Sequence, residues 1–169
     1  LTRLLAPILA FTSEEIWSYL PHSRDEDSRS VLFNEIPAAQ EPADSAFMEK
    51  WDKIHSVRDD VQKALELART QKVIGASLDA KVTLFCKGDT LAFAKSAEKL
   101  LEKVLMVSAL EIGEEGPGTF TGEVANLSVT VEHADGAKCA RCWSYSESVG
   151  QDAAHPDLCD RCAAIIHSL

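Results

Sequence analysis

Four of the chain's five cysteines are gathered in "KCARCWSYSESVGQDAAHPDLCDRC", which runs from Lys138 to Cys162. Cys139, Cys142, Cys159 and Cys162 form C-x2-C-x16-C-x2-C, the spacing at which two tight turns each present a pair of thiolates to one tetrahedral Zn²⁺. Four sulfurs at roughly 2.3 Å leave no open position on the metal, so such a site is structural and not catalytic. A redox Cys-x-x-Cys would not need its twin, and an odd cysteine count in a chain expected to be cytoplasmic argues against a disulfide framework. His133 and His155 are not needed as ligands, and His155, preceding Pro156, is expected to order the loop.

Four thiolates on one dication carry a net −2, which Lys138, Arg141 and Arg161, interleaved with the ligands, are expected to balance in part. The metal would stand in for a hydrophobic core in a segment of about 30 residues that is too small to fold alone. Trp143, directly after Cys142, is harder to place, because a ribbon has little interior for an indole. Two readings of the residues stand side by side. Trp143 and Arg141 form a stacking platform with a cation beside it, suited to an unstacked base and its phosphate. Alternatively, Trp143 packs on a neighbouring lobe and Arg141 only offsets thiolate charge.

The elements that must carry this site are legible from periodicity. Leu1, Leu4, Leu5, Ile8 and Leu9 recur at helical spacing up to a break at Pro7, and the pattern is already running at Leu1, as expected of a piece of a longer chain. In "FTSEEIWSYLP", Thr12 and Glu15 read as a capping box, with Phe11 and Ile16 as a hydrophobic staple, predicting a helix over Ser13 to Leu20. His22 to Asp44 reads as a surface connection. Phe47, Trp51, Ile54, Val57, Val61, Ala64, Leu65 and Ala68 then trace one face of a helix of about six turns. Its other sides carry Lys50, Lys53, Arg58, Lys63, Arg69 and Lys72 among Asp52, Asp59, Asp60 and Glu66, a solvated face.

After Gly75 the period falls to two, and Leu78, Ala80, Val82, Leu84 and Cys86 define a strand in which Cys86 is a buried filler. A helix over Gly88 to Leu105, a strand in "MVSALEI", a turn-rich loop in "EEGPGTFTGE" and a strand in "VANLSVTVEHA" follow. The expected class is α+β: a helical segment, a small mixed α/β lobe and a C-terminal zinc ribbon, with boundaries at 1–45, 46–135 and 136–169.

Composition limits the function. With 169 residues, 46% apolar and 26% charged, the chain has the makeup of a folded soluble protein, and no run approaches the roughly 18 apolar residues of a membrane span. The opening lacks the basic flank and cleavage site of a signal peptide, and a cytoplasmic location is expected. A net charge of −10 is the wrong sign for holding nucleic acid through the overall field, so an RNA or DNA role must rest on a local patch.

The residues also resemble a known family. "APILAFTSEEIW", Ala6 to Trp17, is similar to the segment closing the helical anticodon-binding domain of class I aminoacyl-tRNA synthetases. "CARCW" with "HPDLCDRC" resembles the zinc-binding C-terminus of bacterial-type isoleucyl-tRNA synthetases, and "ARTQKVIGASLDAKVTL", Ala68 to Leu84, looks like the junction between them. The resemblance implies a non-catalytic part of a larger enzyme, expected to be a monomer, that charges isoleucine onto its tRNA using ATP. It implies docking of the anticodon arm against Arg141 and Trp143, with catalytic and editing domains upstream. The ATP-binding signatures H-I-G-H and K-M-S-K-S are absent from this chain, as is any Gly-rich phosphate loop.

Formamidopyrimidine-type DNA glycosylases share the metal spacing, but they should bring a basic surface, an N-terminal proline nucleophile and a helix-two-turn-helix. This chain has −10 charge, Leu1 and an α/β lobe. A zinc-ribbon module that binds only protein is the third reading, and it rests on the acidic composition.

Overall fold

The computed structural model describes residues 1–39, 41, 44–114, 116 and 118–168. The chain divides into two units, Leu1–Asp44 and Ser45–Leu169. Parts of two expected loops, at Gln40, Pro42 and Ala43 and at Glu115 and Pro117, lie outside the described residues.

In the first unit a short helix α1 (Thr2–Leu5) gives way at Pro7 to α2 (Ala10–Tyr19). Ala6, Trp17 and Val31 make its small core. The Trp17 indole N–H donates to the Asp27 carbonyl at 3.1 Å. The Glu14 carboxylate accepts from the Ser30 hydroxyl at 2.9 Å and the Val31 N–H at 3.2 Å, tying the helix to the 3-10 turn Val31–Phe33. The capping box expected at Thr12 and Glu15 is not formed. The Leu9 carbonyl already accepts the Ser13 N–H at 2.8 Å, so the helix opens ahead of Thr12 and no side chain caps it. Phe11 is 94% exposed, so it makes no staple with Ile16. Ile8, Tyr19, Leu32, Phe33 and Ile36 are also exposed.

The second unit is built on α3 (Ser45–Thr70), whose buried stripe of Ile54, Val57, Val61, Ala64, Leu65 and Ala68 follows the predicted period. Strand β1 (Ala80–Cys86) is the centre of a three-stranded sheet of order β2-β1-β3, flanked by β2 (Ala109–Gly113) and β3 (Leu127–His133). β1 and β2 are parallel, joined by the crossover helix α4 (Gly88–Leu105), and β3 runs antiparallel to β1 with Val82 opposite Val131. Ala80, Val82, Leu84 and Cys86 are fully buried and alternate with half-buried residues, so one sheet face meets α3 and α4 in a single core.

Two edges differ from expectation. Leu78 belongs to a 3-10 turn, Ser77–Asp79, where the Asp79 carboxylate accepts the Gly75 and Ala76 N–H groups at 3.1 and 2.7 Å. Met106, expected in a strand, ends α4 in the left-handed region at φ 52°, which delays β2 to Ala109. One helix position differs as well. Asp60, expected on the solvated side of α3, is 1% exposed, and its carboxylate accepts the Glu123 and Val124 N–H groups at 3.0 and 2.8 Å. Gly122 leaves room for it, since a Cβ there would stand 2.1 Å from the carboxylate.

The C-terminal segment pairs β4 (Ala137–Lys138) with β5 (Tyr145–Ser146) and ends in α5 (Asp160–His167), an element the sequence reading did not anticipate. Its core is Cys139, Leu158, Cys159, Cys162 and Ala163, distinct from that of the sheet and helices.

Candidate metal centre and the residues around it

The first Cys-x-x-Cys lies on a tight turn leaving β4. The Cys139 carbonyl accepts the Trp143 N–H at 2.9 Å, and the Cys139 N–H donates to the Ser144 carbonyl at 2.9 Å, which curls Cys139 and Cys142 toward one point. The second pair belongs to a helix start: Cys159 is the N-cap of α5 and Cys162 sits in its first turn. The Ala140 N–H donates to the Asp157 carbonyl at 3.0 Å and holds the two turns face to face.

All four Sγ atoms lie within 4.8 Å of one another, and Cys142 and Cys159 are 3.8 Å apart. A tetrahedron with metal–sulfur bonds of roughly 2.3 Å has edges of about 3.8 Å, so the cluster has the size of a four-thiolate zinc site. Cys139, Cys159 and Cys162 are buried, and Cys142 is half-buried.

The electrostatics are those of a site built for a cation. Burial pushes the Cys139 thiol up, but the N–H groups of Cys142, Cys159 and Arg141 more than offset it, and its pKa falls to about 6. Cys142 is also lowered; burial opposes this and the Ser144 N–H favours it. Burial pushes Cys159 up to about 12, with the neighbouring sulfurs adding to the effect. Packing another thiolate among its neighbours needs a counter-charge, which a dication supplies. The positive end of α5 points the same way. The Cys159 N–H donates to the Cys139 sulfur at 3.4 Å, as outer hydrogen bonds to zinc thiolates do.

Two of the three expected counter-charges serve this cluster. The Arg141 guanidinium donates to the Cys162 sulfur at 3.8 Å, and a hydrogen bond to the Cys142 sulfur raises the pKa of Arg161. Lys138 does not. Its ammonium pairs with Asp79 at 3.7 Å and lies 5.9 Å from the Tyr145 ring centre, so it balances a carboxylate and not the thiolates. Neither histidine joins the sulfurs. His133 Nδ1 lies 2.8 Å from the Ala134 carbonyl, while the His155 N–H donates to Asp152 at 2.9 Å and its ring faces His167 at 5.2 Å.

Trp143 is 62% exposed at φ 65°, so its indole stands out from the turn and is not packed under a neighbouring lobe. Arg141, on the same turn, is exposed as well. The sequence reading did not find Ser108, whose hydroxyl meets this segment from the lobe. Nothing in "MVSALEI" marks that serine out.

Comparison with known proteins agrees with both ends of the chain. Residues 1–84 match the family described as the anticodon-binding domain of tRNA ligase, and residues 136–165 match the zinc finger found in FPG and IleRS. A helical stretch of the first kind followed by a four-cysteine finger of the second defines a protein of the tRNA ligase class. The finger alone is shared with the glycosylases, but the helical match favours the ligases.

Three curated relatives are the isoleucine–tRNA ligases of Syntrophotalea carbinolica, 44% identical over 168 residues, Caldanaerobacter subterraneus, 41% over 172, and Geobacter sulfurreducens, 41% over 168. Each match covers 98% of this chain and 18% of the relative. The chain belongs to the isoleucine–tRNA ligase family, and it spans about a fifth of the length of the curated relatives it matches. Among the described residues no helix is long and apolar enough to cross a membrane.

Proposed function

We propose that this chain docks the anticodon arm of isoleucine tRNA for a cytoplasmic, monomeric isoleucine–tRNA ligase whose catalytic and editing domains lie in other parts of the protein. In this reading residues 1–45 close the helical anticodon-binding domain, 46–135 form a supporting lobe, and 136–169 form the zinc ribbon. Zinc held by Cys139, Cys142, Cys159 and Cys162 supplies rigidity and no chemistry. Trp143 offers a face to an unstacked base, and Arg141 offers charge to a neighbouring phosphate. The exposed Ile8, Phe11 and Tyr19 are read as a face covered by the rest of the helical domain.

The observation that carries this reading is the outward indole on a turn that the sulfurs make rigid. It also reconciles an acidic chain with an RNA ligand, because stacking does not depend on the overall field. Docking at a distance contributes to the reaction by orienting the acceptor end of the tRNA at the catalytic centre. Trp143→Ala in the full-length ligase is expected to cost about 1 to 3 kcal/mol of tRNA binding, the worth of one base stack, with zinc content and amino-acid activation unchanged. Unaltered tRNA affinity in that variant would refute the platform.

A further inference from the structure

The ribbon and the sheet lobe have separate apolar cores that share no residue, so their mutual orientation depends on a narrow polar seam. At its centre is Ser108, between α4 and β2. Its N–H donates to the Ala80 carbonyl at 3.0 Å, its hydroxyl donates to the Leu78 carbonyl, and the same oxygen accepts the Tyr145 N–H at 2.7 Å. One small side chain thus ties the entrance of β1 to the first residue of β5. A hydroxyl can do this because it donates one hydrogen bond and accepts others at once, each strengthening the next.

The rest of the seam converges on the same two segments. The Asp79 carbonyl accepts the Ala134 N–H at 2.8 Å, the Asp79 carboxylate pairs with Lys138 at 3.7 Å, and the His133 ring meets Tyr145 edge-on at 4.8 Å. Tyr145 is two residues beyond Trp143, and the intervening Ser144 carbonyl closes the metal turn on the Cys139 N–H. Whatever fixes the Tyr145 backbone therefore fixes the direction in which the indole leaves the ribbon.

We infer that Ser108 is a positioning residue for tRNA docking: through the Tyr145 N–H it sets the orientation of the zinc ribbon, and hence of the Trp143 indole, on the α/β lobe. This rests on the reading of Trp143 as an RNA platform. Without the hydroxyl, the Tyr145 N–H and the Leu78 carbonyl lose their partner, and the ribbon samples orientations in which the indole does not meet the base. The apparent affinity for tRNA falls with the fraction of molecules held in the competent orientation.

The test uses the full-length ligase, measuring KM and kcat for tRNA charging, isoleucine-dependent ATP–pyrophosphate exchange and bound zinc. Ser108→Ala is expected to raise the KM for tRNA on the order of tenfold, leaving kcat, exchange and zinc unchanged. Ser108→Thr, which keeps the hydroxyl, should restore the native KM. In a Trp143→Ala background, Ser108→Ala should add little, because the group it positions is gone.

A native KM in Ser108→Ala, while Trp143→Ala raises it, overturns the positioning role and leaves the platform standing. Native KM in both variants brings down the platform and this inference together. Loss of zinc in Ser108→Ala, an equal defect in Ser108→Thr, or fully additive effects in the double variant also overturns it.

Discussion

Position 143 is one at which the backbone and the side chain want different residues, and two substitutions separate them. Trp143 holds φ 65° because its N–H must reach back to the Cys139 carbonyl to close the metal turn. For any residue with a Cβ, that left-handed conformation costs about 1 to 2 kcal/mol, and for glycine it costs almost nothing. Trp143→Ala and Trp143→Gly give up the same indole contacts, so the difference between them isolates the backbone. Glycine has more freedom to lose from the unfolded chain, which takes back about 0.5 to 1 kcal/mol. The net expectation is that Trp143→Gly holds its metal more tightly than Trp143→Ala by about 1 kcal/mol, or about fivefold in apparent affinity. In the interior of a helix or strand, the order of the two residues is the reverse.

Chelator competition for zinc, with thermal melting of the loaded proteins alongside, reads this difference directly. Both variants should be equally poor at binding tRNA, since neither has an aromatic face. An alanine variant that binds zinc as well as the glycine variant, or better, would show that the turn does not impose a left-handed residue at 143. The account of how the indole is aimed would then fail.

Three other outcomes are expected. Asp60→Ala leaves the Glu123 and Val124 N–H groups without their acceptor and should cost about 2 to 4 kcal/mol in denaturant unfolding; a shift under about 0.5 kcal/mol would contradict its buried role. Asp79 is held below its ordinary 3.8, chiefly by the Ala76 N–H, with the Gly75 N–H and Lys138 helping and partial burial opposing. A depressed folded value means that its contribution is present above 3.8 and is lost as the pH falls through the lower folded pKa. Asp79→Asn should therefore flatten the acid limb of stability relative to the native protein, and identical limbs would count against it. Cys159→Ser should weaken zinc binding by more than the roughly 10- to 100-fold controlled by a ligand's hydrogen-bond partner and melt the ribbon; stoichiometric metal with normal melting would rule out the four-sulfur site.

What could be read in advance was whatever is encoded by spacing. The four cysteines declare themselves because two turns closing on one metal demand fixed intervals, and α3, β1 and α4 follow from apolar periods of 3.6 and 2. Thr12 misled because a capping pattern states that a helix can begin there, not that the preceding carbonyls are idle. Helix α5 was missed because its first turn is written in the same residues as the second cysteine pair. Asp60 looked like one more charge on a solvated face, since only the return of Glu123 and Val124, 63 and 64 positions away, gives it a reason to be buried. Ser108 was invisible for the same reason: the groups it joins are backbone atoms 30 and 37 residues distant.

Cys86 has no part in the metal site, yet it makes that site easier to follow. Sealed on the central strand, with burial pushing its thiol up, it should ignore a mild alkylating reagent for as long as the sheet survives. Counting labelled sulfurs among these 169 residues, by mapping the modified peptides, then becomes a tally of the ribbon alone: none with the ion in place, four once a chelator has withdrawn it, and a fifth only when the lobe itself comes apart.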